Sequence, residues 1–404
     1  APTTGSVPAD GNTRIWLVGD SGTGGDDERE EHEGEAAEVR DGMLQFVENT
    51  GGEPIDMFVM LGDNAYEIGS DFNYQQAVFE TYPEQLANTF LVPTIGNHEM
   101  GAGELDLCFF VESIPCGVQV LELGGVSSDS SPDSWVAAIG DEPSRMPYLD
   151  IFSLPTSGES GGVPSGTEQY YSVDYGNVHV VSLDSQLSAR DESQRATMRE
   201  WLIDDLASNE LDWTVVIFHH PPYSKGANHD SDGTEDNAFD RPIWDMRNEF
   251  VPIFDDYGVD VVYSGHSHSY ERSYYLNNHT GTSDTYSNAE HAELIDGDPA
   301  QPALGFPDQP YSQLSPTSGG IDDRVVYTVA GNGGKADKDA GSVTDPAVWL
   351  RHAAHIQQAA DTIEPKRNAL AVIGSVVIDA TADSLTANFV DVNGDVLDAF
   401  TITR

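Results

Sequence analysis

The amino-acid sequence predicts an α/β layered fold, and two observations support this. Short apolar runs rich in Val and Ile alternate with helical patterns from residue 14 to about residue 270. Several of these runs end in Gly followed by a polar residue, as strands do when they lead into loops at a sheet edge. The length of 404 residues would allow two or three domains, but this continuous alternation favours one domain over residues 1–404.

The individual elements are predicted from the spacing of their apolar residues. Eight short runs predict strands at Arg14–Gly19, Ile55–Leu61, Leu91–Ile95, Gln169–Tyr175, Val178–Leu183, Trp213–Phe218, Val259–Tyr263 and Val325–Ala330. Four longer patterns predict helices at Asp27–Asn49, Phe72–Tyr82, Glu192–Ala207 and Arg241–Tyr257. The segment Ala369–Arg404 predicts a strand meander, because the hairpin-type turn Asn393-Gly394 separates two alternating runs. Two segments rich in Gly, Ser, Pro and Asp, at about 100–168 and 277–323, are predicted to be irregular inserts.

The charge balance is strongly acidic. Asp and Glu number 69 against 18 Lys and Arg, which gives a formal net charge of −51. This excludes a protein that coats nucleic acid, and no apolar stretch is long enough to predict a membrane span. With 38% hydrophobic residues the chain can still form a core, so the charge belongs to its surface. Because salt screens such self-repulsion, we expect a halophilic or marine source, which dialysis to low salt would test by a loss of activity.

The two cysteines bear on where the protein is located. Cys108 and Cys116 lie in a stretch that contains Gly and Pro, and they are expected to form a local disulfide if the protein is exported. Otherwise they are inert thiols. The sequence begins at Ala1 rather than Met, which fits a processed mature form or a trimmed chain. A secreted or periplasmic location in a high-salt environment is therefore the expectation.

Polar residues that can bind metal follow five of the predicted strands. They are Asp20, Asp63, Asn97-His98, His219-His220 and His266-Ser267-His268. A single Asp after a strand is often only a turn-forming residue. Five such strand ends in succession are a stronger signal, because ligands gather at the carboxyl ends of strands in sheets of this kind. Asp, Asn and His suit a borderline metal, and they are too many for one ion.

The order of these motifs resembles a known family. The motifs are Asp20-Ser-Gly22, Gly62-Asp63-Asn-Ala-Tyr66, Gly96-Asn97-His98-Glu99, Val216-Ile-Phe-His219 and Gly265-His266-Ser-His268. They resemble the five signature blocks of the purple acid phosphatases, within the dinuclear metallophosphoesterases, and are most similar to the bacterial members. The resemblance covers roughly residues 14–404, with its core motifs in residues 14–272. It implies one catalytic domain, a β-sandwich flanked by helices on both outer faces in α-β-β-α layers.

The resemblance implies two ligand sets that share the bridging carboxylate of Asp63. These sets are Asp20, Asp63, Tyr66 and His268 for one ion, and Asp63, Asn97, His219 and His266 for the other. Gly22 stands where many dinuclear phosphoesterases have a ligand His, and Tyr66 supplies the replacement. A phenol must ionise to bind, which requires a strong Lewis acid. We therefore expect Fe(III) at the Tyr66 site and Zn, Mn or Fe(II) at the other.

The resemblance also implies the reaction, which is hydrolysis of a small phosphomonoester by a metal-bound hydroxide. In this mechanism His98 stabilises the charge on the phosphoryl oxygens and His229 protonates the leaving alcohol. His229 follows His219 by ten residues, and its surroundings could equally be a solvated acidic loop. His219 is preferred to His220 as the ligand because of its motif spacing, since adjacent residues of a strand face opposite ways.

Two alternatives remain open from the sequence. The same dinuclear site could cleave phosphodiesters or nucleotides, or the chain could be a non-catalytic, acidic metal-binding surface protein. The presence of His98 and His229, which are not needed to hold metal, favours catalysis. Four further residues are expected to support the site by packing and hydrogen bonding, namely Glu99, Tyr223, Tyr270 and Arg272.

Overall fold

The computed structural model describes residues 11–22, 35–66, 69–100, 146–226, 229–236, 240–313, 324–336 and 349–404. Its strands form two seven-stranded sheets. The first sheet has the spatial order β3 (Phe90–Pro93), β2 (Met57–Met60), β1 (Thr13–Val18), β12 (Gly374–Ala380), β13 (Ser384–Asp391), β14 (Val396–Thr403) and β9 (Tyr311–Ser312). The second has the order β11 (Ala369–Leu370), β8 (Tyr270–Leu276), β10 (Val325–Ala330), β7 (Val261–Ser264), β6 (Trp213–Ile217), β5 (Val178–Ser182) and β4 (Tyr171–Tyr175).

Each sheet contains a block of parallel strands. In the first sheet β1, β2 and β3 run parallel, and in the second sheet β5, β6, β7 and β10 do so. From β1 the first sheet continues through β12, β13 and β14, each antiparallel to the strand before it, and ends with β9, which is parallel to β14. The carboxyl ends of parallel strands meet at one edge of a sheet, so each block brings its following loops together.

The helices lie between these strands along the chain. Their bounds are α1 Glu35–Asn49, α2 Asp71–Tyr74, α3 Pro83–Asn88, α4 Pro147–Ile151, α5 Glu192–Ser208, α6 Arg241–Asp245, α7 Val251–Tyr257 and α8 Asn288–His291. π-helical turns, Gln75–Glu80 and Met246–Phe250, follow α2 and α6, and short 3₁₀ turns occupy His98–Met100, Thr234–Asp236, Ser283–Thr285 and Ile295–Gly297. Asp191 caps α5 by accepting a hydrogen bond from the backbone of Gln194 at 2.6 Å. Gly258, in the left-handed conformation, ends α7.

Alternation along the strands produces four layers. Ile15 and Leu17 of β1 belong to the core between the two sheets, whereas Trp16 and Val18 pack outward in the cluster that contains Met43 of α1. On the other side, outward residues of the second sheet share a cluster with Met198 and Leu202 of α5 and Phe254 of α7. Because successive side chains of a strand face opposite ways, each sheet has an apolar face on both sides. The predicted α-β-β-α sandwich is confirmed.

Strand prediction succeeded for all eight runs, with ends displaced by a few residues, but it missed β8 and also the short β9, which lies in the segment 277–323 predicted to be irregular. Polar residues in the first half of β8, among them Glu271 and Arg272, conceal the strand in the sequence although both are fully buried. The expected meander is also corrected at its start, because β11 pairs with β8 in the second sheet rather than with β12. The three strands that follow form the meander as predicted.

The helix predictions need two corrections. A π-helical turn interrupts the predicted helix Phe72–Tyr82 after Tyr74, and another interrupts Arg241–Tyr257. The predicted helix from Asp27 is seen from Glu35 onward, and its earlier part lies outside the described residues, as do Cys108 and Cys116. Among the helices that the structure describes, none is long and apolar enough to cross a membrane.

A buried ion pair joins the two sheets. The guanidinium of Arg272 on β8 donates two hydrogen bonds to the carboxylate of Asp398 on β14, at 2.6 and 2.9 Å. Tyr270 donates a third hydrogen bond to the same carboxylate at 2.9 Å. Since both charges are buried and hydrogen-bonded, the pair fixes how β8 lies against the C-terminal strands. This agrees with the supporting roles expected for Tyr270 and Arg272.

A second buried network surrounds His179 on β5. Its Nδ1 lies 2.6 Å from Asp174 Oδ1, and its Nε2 lies 2.9 Å from Asp205 Oδ2. Burial lowers the pKa of His179, but the hydrogen bonds and charges of the two carboxylates outweigh this and raise it to about 9. The folded state therefore holds an imidazolium that an unfolded chain, with a His pKa near the ordinary 6.5, holds less firmly.

His179 should therefore make stability depend on pH. Its contribution is complete below pH 6.5 and is lost as the pH rises through 9, and it amounts to about 3 kcal/mol at 1.36 kcal/mol per pKa unit. Denaturant unfolding across this range should show a steeper loss of stability in the wild type than in His179→Gln. Asp174→Asn, which removes one partner, should lie between them. Equal slopes for wild type and His179→Gln would contradict this account.

Candidate metal centre

The polar residues after the parallel strands meet where the two sheets face each other. Asp20, Asp63 and Asn97 follow β1, β2 and β3 of the first sheet, and His219 and His266 follow β6 and β7 of the second. Hydrogen bonds cross between the sheets here, and two of them involve candidate ligand residues. His219 Nδ1 donates to the carbonyl of Leu61 at 2.9 Å, and the backbone N–H of His266 donates to Asp20 Oδ2 at 2.8 Å.

A first group of oxygen and nitrogen atoms gathers around the phenol of Tyr66. Its hydroxyl lies 3.1 Å from Asp20 Oδ1, 3.2 Å from Asp63 Oδ2 and 3.4 Å from His268 Nε2. His268 Nε2 is also 3.5 Å from Asp20 Oδ1. One hydroxyl proton cannot satisfy both carboxylates at once, so this arrangement presents more electron pairs than protons.

A second group gathers around the amide oxygen of Asn97. His219 Nε2 and His266 Nδ1 both lie 3.0 Å from Asn97 Oδ1, and His219 Nε2 is 3.4 Å from Asp63 Oδ2. Because a carbonyl only accepts, His219 must carry its proton on Nδ1, which leaves a lone pair on Nε2 in the neutral ring. His266 Nε2 faces Asp240 Oδ1 at 3.1 Å, so its lone pair is on Nδ1. Lone pairs therefore point at one another, as they do around a cation.

Asp63 joins the two groups. Its Oδ1 accepts a hydrogen bond from the backbone of His98 at 2.9 Å, while its Oδ2 lies close to both Tyr66 and His219. Single ligand atoms of Asp20, Asp63 and His219 all lie within 4.8 Å of one another. This is the placement expected of a carboxylate that bridges two ions.

The backbone is strained at three of these residues. Asp20, Asp63 and His266 have φ angles of 54°, 52° and 68°, in the left-handed region that residues with a Cβ rarely adopt. Such strain is typical of functional sites and costs roughly 1–3 kcal/mol per residue. Here it turns each side chain back toward the meeting point of the sheets.

Glu99 holds two of the loops in this conformation. Its carboxylate is fully buried and accepts hydrogen bonds from the backbone N–H groups of Asp63, Asn64 and Gly96 at 2.6–2.8 Å. Burial, together with the charge of Asp63, raises the pKa of Glu99 to about 7. Its position agrees with the supporting role expected from the sequence.

Charge within the site is compensated by the histidines. Burial would raise the pKa of Asp63, but the nearby imidazoles of His219 and His98 hold it well below its ordinary value. Burial would likewise lower the pKa of His219, whereas Asp63 and then Asp20 raise it to about 9. A positive charge is thus favoured beside these carboxylates, and a bound cation would provide one without protonating the ligand. The donor set of two carboxylates, one phenol, one amide and three imidazoles fits two transition-metal ions.

Comparisons with known proteins agree with this geometry. The model of the calcineurin-like phosphoesterase family matches residues 13–270. The chain belongs to this family. Purple acid phosphatase 18 of Arabidopsis thaliana is 33% identical over 137 residues, 33% of this chain and 26% of that protein. An uncharacterised protein of Mycobacterium tuberculosis is 30% identical over 168 residues, 37% of this chain and 29% of that protein.

Among solved structures, a purple acid phosphatase from yellow lupin seeds shares the fold with a TM-score of 0.57 at 17% sequence identity. The match covers 99% of this chain and 55% of the lupin chain. These similarities confirm the resemblance that the motifs indicated. The chain spans less than a third of the length of the curated relatives it matches.

Gly22 has a second role in this calcineurin-like phosphoesterase. A Cβ atom at this position would lie 2.6 Å from the backbone nitrogen of Tyr66 and 2.7 Å from that of Ala65. The carbonyl of Gly22 also accepts a hydrogen bond from the backbone of Tyr66 at 3.1 Å. The residue that stands in the place of a ligand His therefore also lets the loop carrying Tyr66 come close.

The structure places the three remaining histidines of interest around the same point. The side chains of His98 and His229 are 14% and 15% exposed, so both reach solvent beside the buried ligands. The ring of His229 lies 3.8 Å from that of His266. His220 is fully buried, hydrogen-bonded to Ser185 Oγ at 2.9 Å, and burial lowers its pKa well below the ordinary value. Its surroundings agree with a structural role.

Sequence reasoning missed two contributors to the site. Asp240 hydrogen-bonds His229 and His266, and although burial would raise its pKa, these partners hold it well below its ordinary value. Gly331 follows β10, and a Cβ there would lie 2.3 Å from the carbonyl of Ser267 and 2.8 Å from Asp20 Oδ2. The run Gly331-Asn-Gly-Gly334 after a predicted strand was a signal that could have indicated the second contributor.

The close approach at Gly22 can be tested by adding a Cβ atom there. Gly22→Ala should push the Tyr66 loop away and reduce the metal content. It should lower the free energy of unfolding by about 1–3 kcal/mol, and the melting temperature should fall accordingly. Calorimetry and elemental analysis of the purified variant would measure both effects. A variant with the wild-type melting temperature and metal stoichiometry would contradict the packing argument.

Proposed function

We propose that the protein is a metal-dependent phosphatase of the purple acid phosphatase type, which hydrolyses small phosphomonoesters at a dinuclear centre. The observation that carries this proposal is the convergence of oxygen and nitrogen ligand atoms from both sheets on Asp63, with His98 and His229 beside them. Membership of the calcineurin-like phosphoesterase family supports it.

The proposed ligand residues divide into two sets. Asp20, Asp63, Tyr66 and His268 would hold one ion, and Asp63, Asn97, His219 and His266 the other. When bound, the two ions supply Lewis-acid activation of water and neutralise phosphate charge. The chain contributes the geometry, because the inter-sheet hydrogen bonds of His219 and His266 fix ligand direction before substrate arrives.

His98 is proposed to bind the phosphoryl oxygens. Its backbone is fixed by the hydrogen bond to Asp63 Oδ1, and its ring packs edge-on against Tyr66 with centroids 4.6 Å apart. Its Nε2 lies 3.9 Å from Asp63 Oδ2, at the edge of the ligand cluster rather than within it. An imidazole in this place can donate a hydrogen bond to an anion without displacing a ligand.

His229 is proposed to give a proton to the leaving alcohol. It lies in a loop that Lys225 fixes, because the Lys225 ammonium is 2.8 Å from both Asp230 carboxylate oxygens and 2.7 Å from Asp232 Oδ2. This loop is therefore anchored by ion pairs rather than simply solvated. A general acid must be held at a set distance from the reacting atom, and the anchoring meets that requirement.

Hydrolysis rates test the proposed function directly. An aryl monophosphate should be cleaved faster than a bis-aryl diester, and Asp63→Asn should reduce the rate more than about 100-fold, beyond the loss typical of residues that only orient a ligand. The matched control is Asp184→Asn. Asp184 is also a buried Asp after a strand, but it accepts backbone hydrogen bonds from Gln186, Leu187 and Ser188. Retained activity in Asp63→Asn would refute the assignment, and faster diester cleavage would favour the alternative substrate class.

The metals are proposed to be Fe(III) beside Tyr66 and Zn, Mn or Fe(II) in the other set, since an ionised phenol prefers a strong Lewis acid. Protein purified in high salt should then be coloured by tyrosinate-to-iron charge transfer. Tyr66→Phe should lose the visible band, whereas the control Tyr223→Phe, whose buried hydroxyl bonds the His279 carbonyl, should keep it. A colourless, iron-free preparation with full activity would contradict the iron assignment.

We further propose that the enzyme is exported and works at high salt. The support is compositional, namely the net charge of −51 and only four lysines, Lys225, Lys335, Lys338 and Lys366. Screening by salt would allow an anionic substrate to approach so acidic a surface.

A further inference from the structure

One carboxylate oxygen contacts two histidines at the edge of the metal centre. Asp240 Oδ1 lies 3.1 Å from His266 Nε2 and 3.1 Å from His229 Nδ1. Asp240 is 2% exposed, so these contacts are made away from solvent. The same oxygen thus contacts a proposed metal ligand and the proposed general acid.

The position of Asp240 on its helix shows that the side chain is turned toward the site. It is the N-cap residue of α6, where an Asp ordinarily accepts a hydrogen bond from the backbone of the first turn. Its side chain makes no capping hydrogen bond here, although its carbonyl accepts one from Ile243 at 3.0 Å. The carboxylate contacts the two histidines instead of capping the helix.

Proton placement follows from the shared oxygen. A carboxylate accepts, so His266 places a proton on Nε2 and presents its Nδ1 lone pair beside Asn97 Oδ1. By the same argument His229 places a proton on Nδ1, which leaves Nε2 as its other functional nitrogen. Outer carboxylates that fix the tautomer of a ligand His typically change metal affinity 10–100-fold.

We propose that Asp240 is a positioning residue that couples the second metal set to the general acid. It sets the tautomer and ring direction of His266 and of His229 through one oxygen. This inference rests on the proposed function for its catalytic half, while its metal-binding half stands on the His266 contact alone.

A rival occupant of this cluster is a third metal ion. Ligand atoms of His229, Asp240 and His266 lie within 4.8 Å of one another, which is close enough for an ion. An ion there would take the lone pair of His266 Nε2, and a neutral ring would then carry its proton on Nδ1. His266 could then not bind an ion through Nδ1, which is the nitrogen beside Asn97 in the second ligand set. We therefore assign Asp240 to hydrogen bonding with His266.

Metal affinity tests the first half of the proposal. Chelator competition with Zn²⁺ should show 10–100-fold weaker binding at one of two sites in Asp240→Asn and at least as large a loss in Asp240→Ala. Asp245→Asn is the matched control, because Asp245 is equally buried one turn further on but pairs with Arg241 and Arg195. It should bind Zn²⁺ as the wild type does.

A double-mutant cycle tests the second half. At saturating metal, Asp240→Asn should lower kcat about 10-fold or more with little change in KM. The double variant Asp240→Asn/His229→Gln should be hardly slower than His229→Gln alone. Thermal unfolding of each variant checks that it is folded, and the near-isosteric Asn is included for that reason.

Three results would overturn the proposal. They are wild-type Zn²⁺ affinity in Asp240→Ala, additive losses of kcat in the cycle, and a stoichiometry of three ions that falls to two without Asp240. If the wild type hydrolyses neither ester, the proposed function fails, whereas the affinity measurement still decides whether Asp240 acts on His266.

Discussion

Two hydrogen bonds between the sheets hold the centre together, from His219 Nδ1 to the Leu61 carbonyl and from the His266 backbone to Asp20 Oδ2. Each joins a strand end of one sheet to a strand end of the other. The first also fixes the tautomer of His219, so that one contact sets both architecture and chemistry. The layered packing brings these strand ends together. Separating the two sheets would expose the apolar core between them to water, which costs free energy.

The strained backbone at Asp20, Asp63 and His266 follows from this constraint. Side chains at the ends of facing strands must turn back on themselves to reach a common point, and left-handed φ angles accomplish this. Hydrogen bonds from the backbone of Asp63 and Asn64 to buried Glu99 offset part of the strain at Asp63, and glycines allow the loops to come close. A Cβ at Gly265, for example, would lie 2.3 Å from Asp20 Oδ2. The site is therefore preorganised at the expense of local backbone stability.

The sequence predicted the features that are local and missed those that depend on distant contacts. Strand ends followed by Asp or His indicated the ligand residues, because each motif lies within a few residues of its strand. Asp240 was missed because it lies 26 residues before His266 and meets it only through folding. The strand β8 was missed because buried Glu271 and Arg272 interrupt its apolar pattern, and only their buried partners explain why they are tolerated there.

The central feature of the protein is the convergence on Asp63 of ligand atoms from two sheets, in a chain whose net charge is −51. Anomalous X-ray diffraction from crystals grown in high salt would test this most directly. It should show two peaks about 3.5–4 Å apart on either side of Asp63, one beside Tyr66 and one between Asn97, His219 and His266. A single peak, or one that contacts Asp240 instead of Asp63, would contradict it.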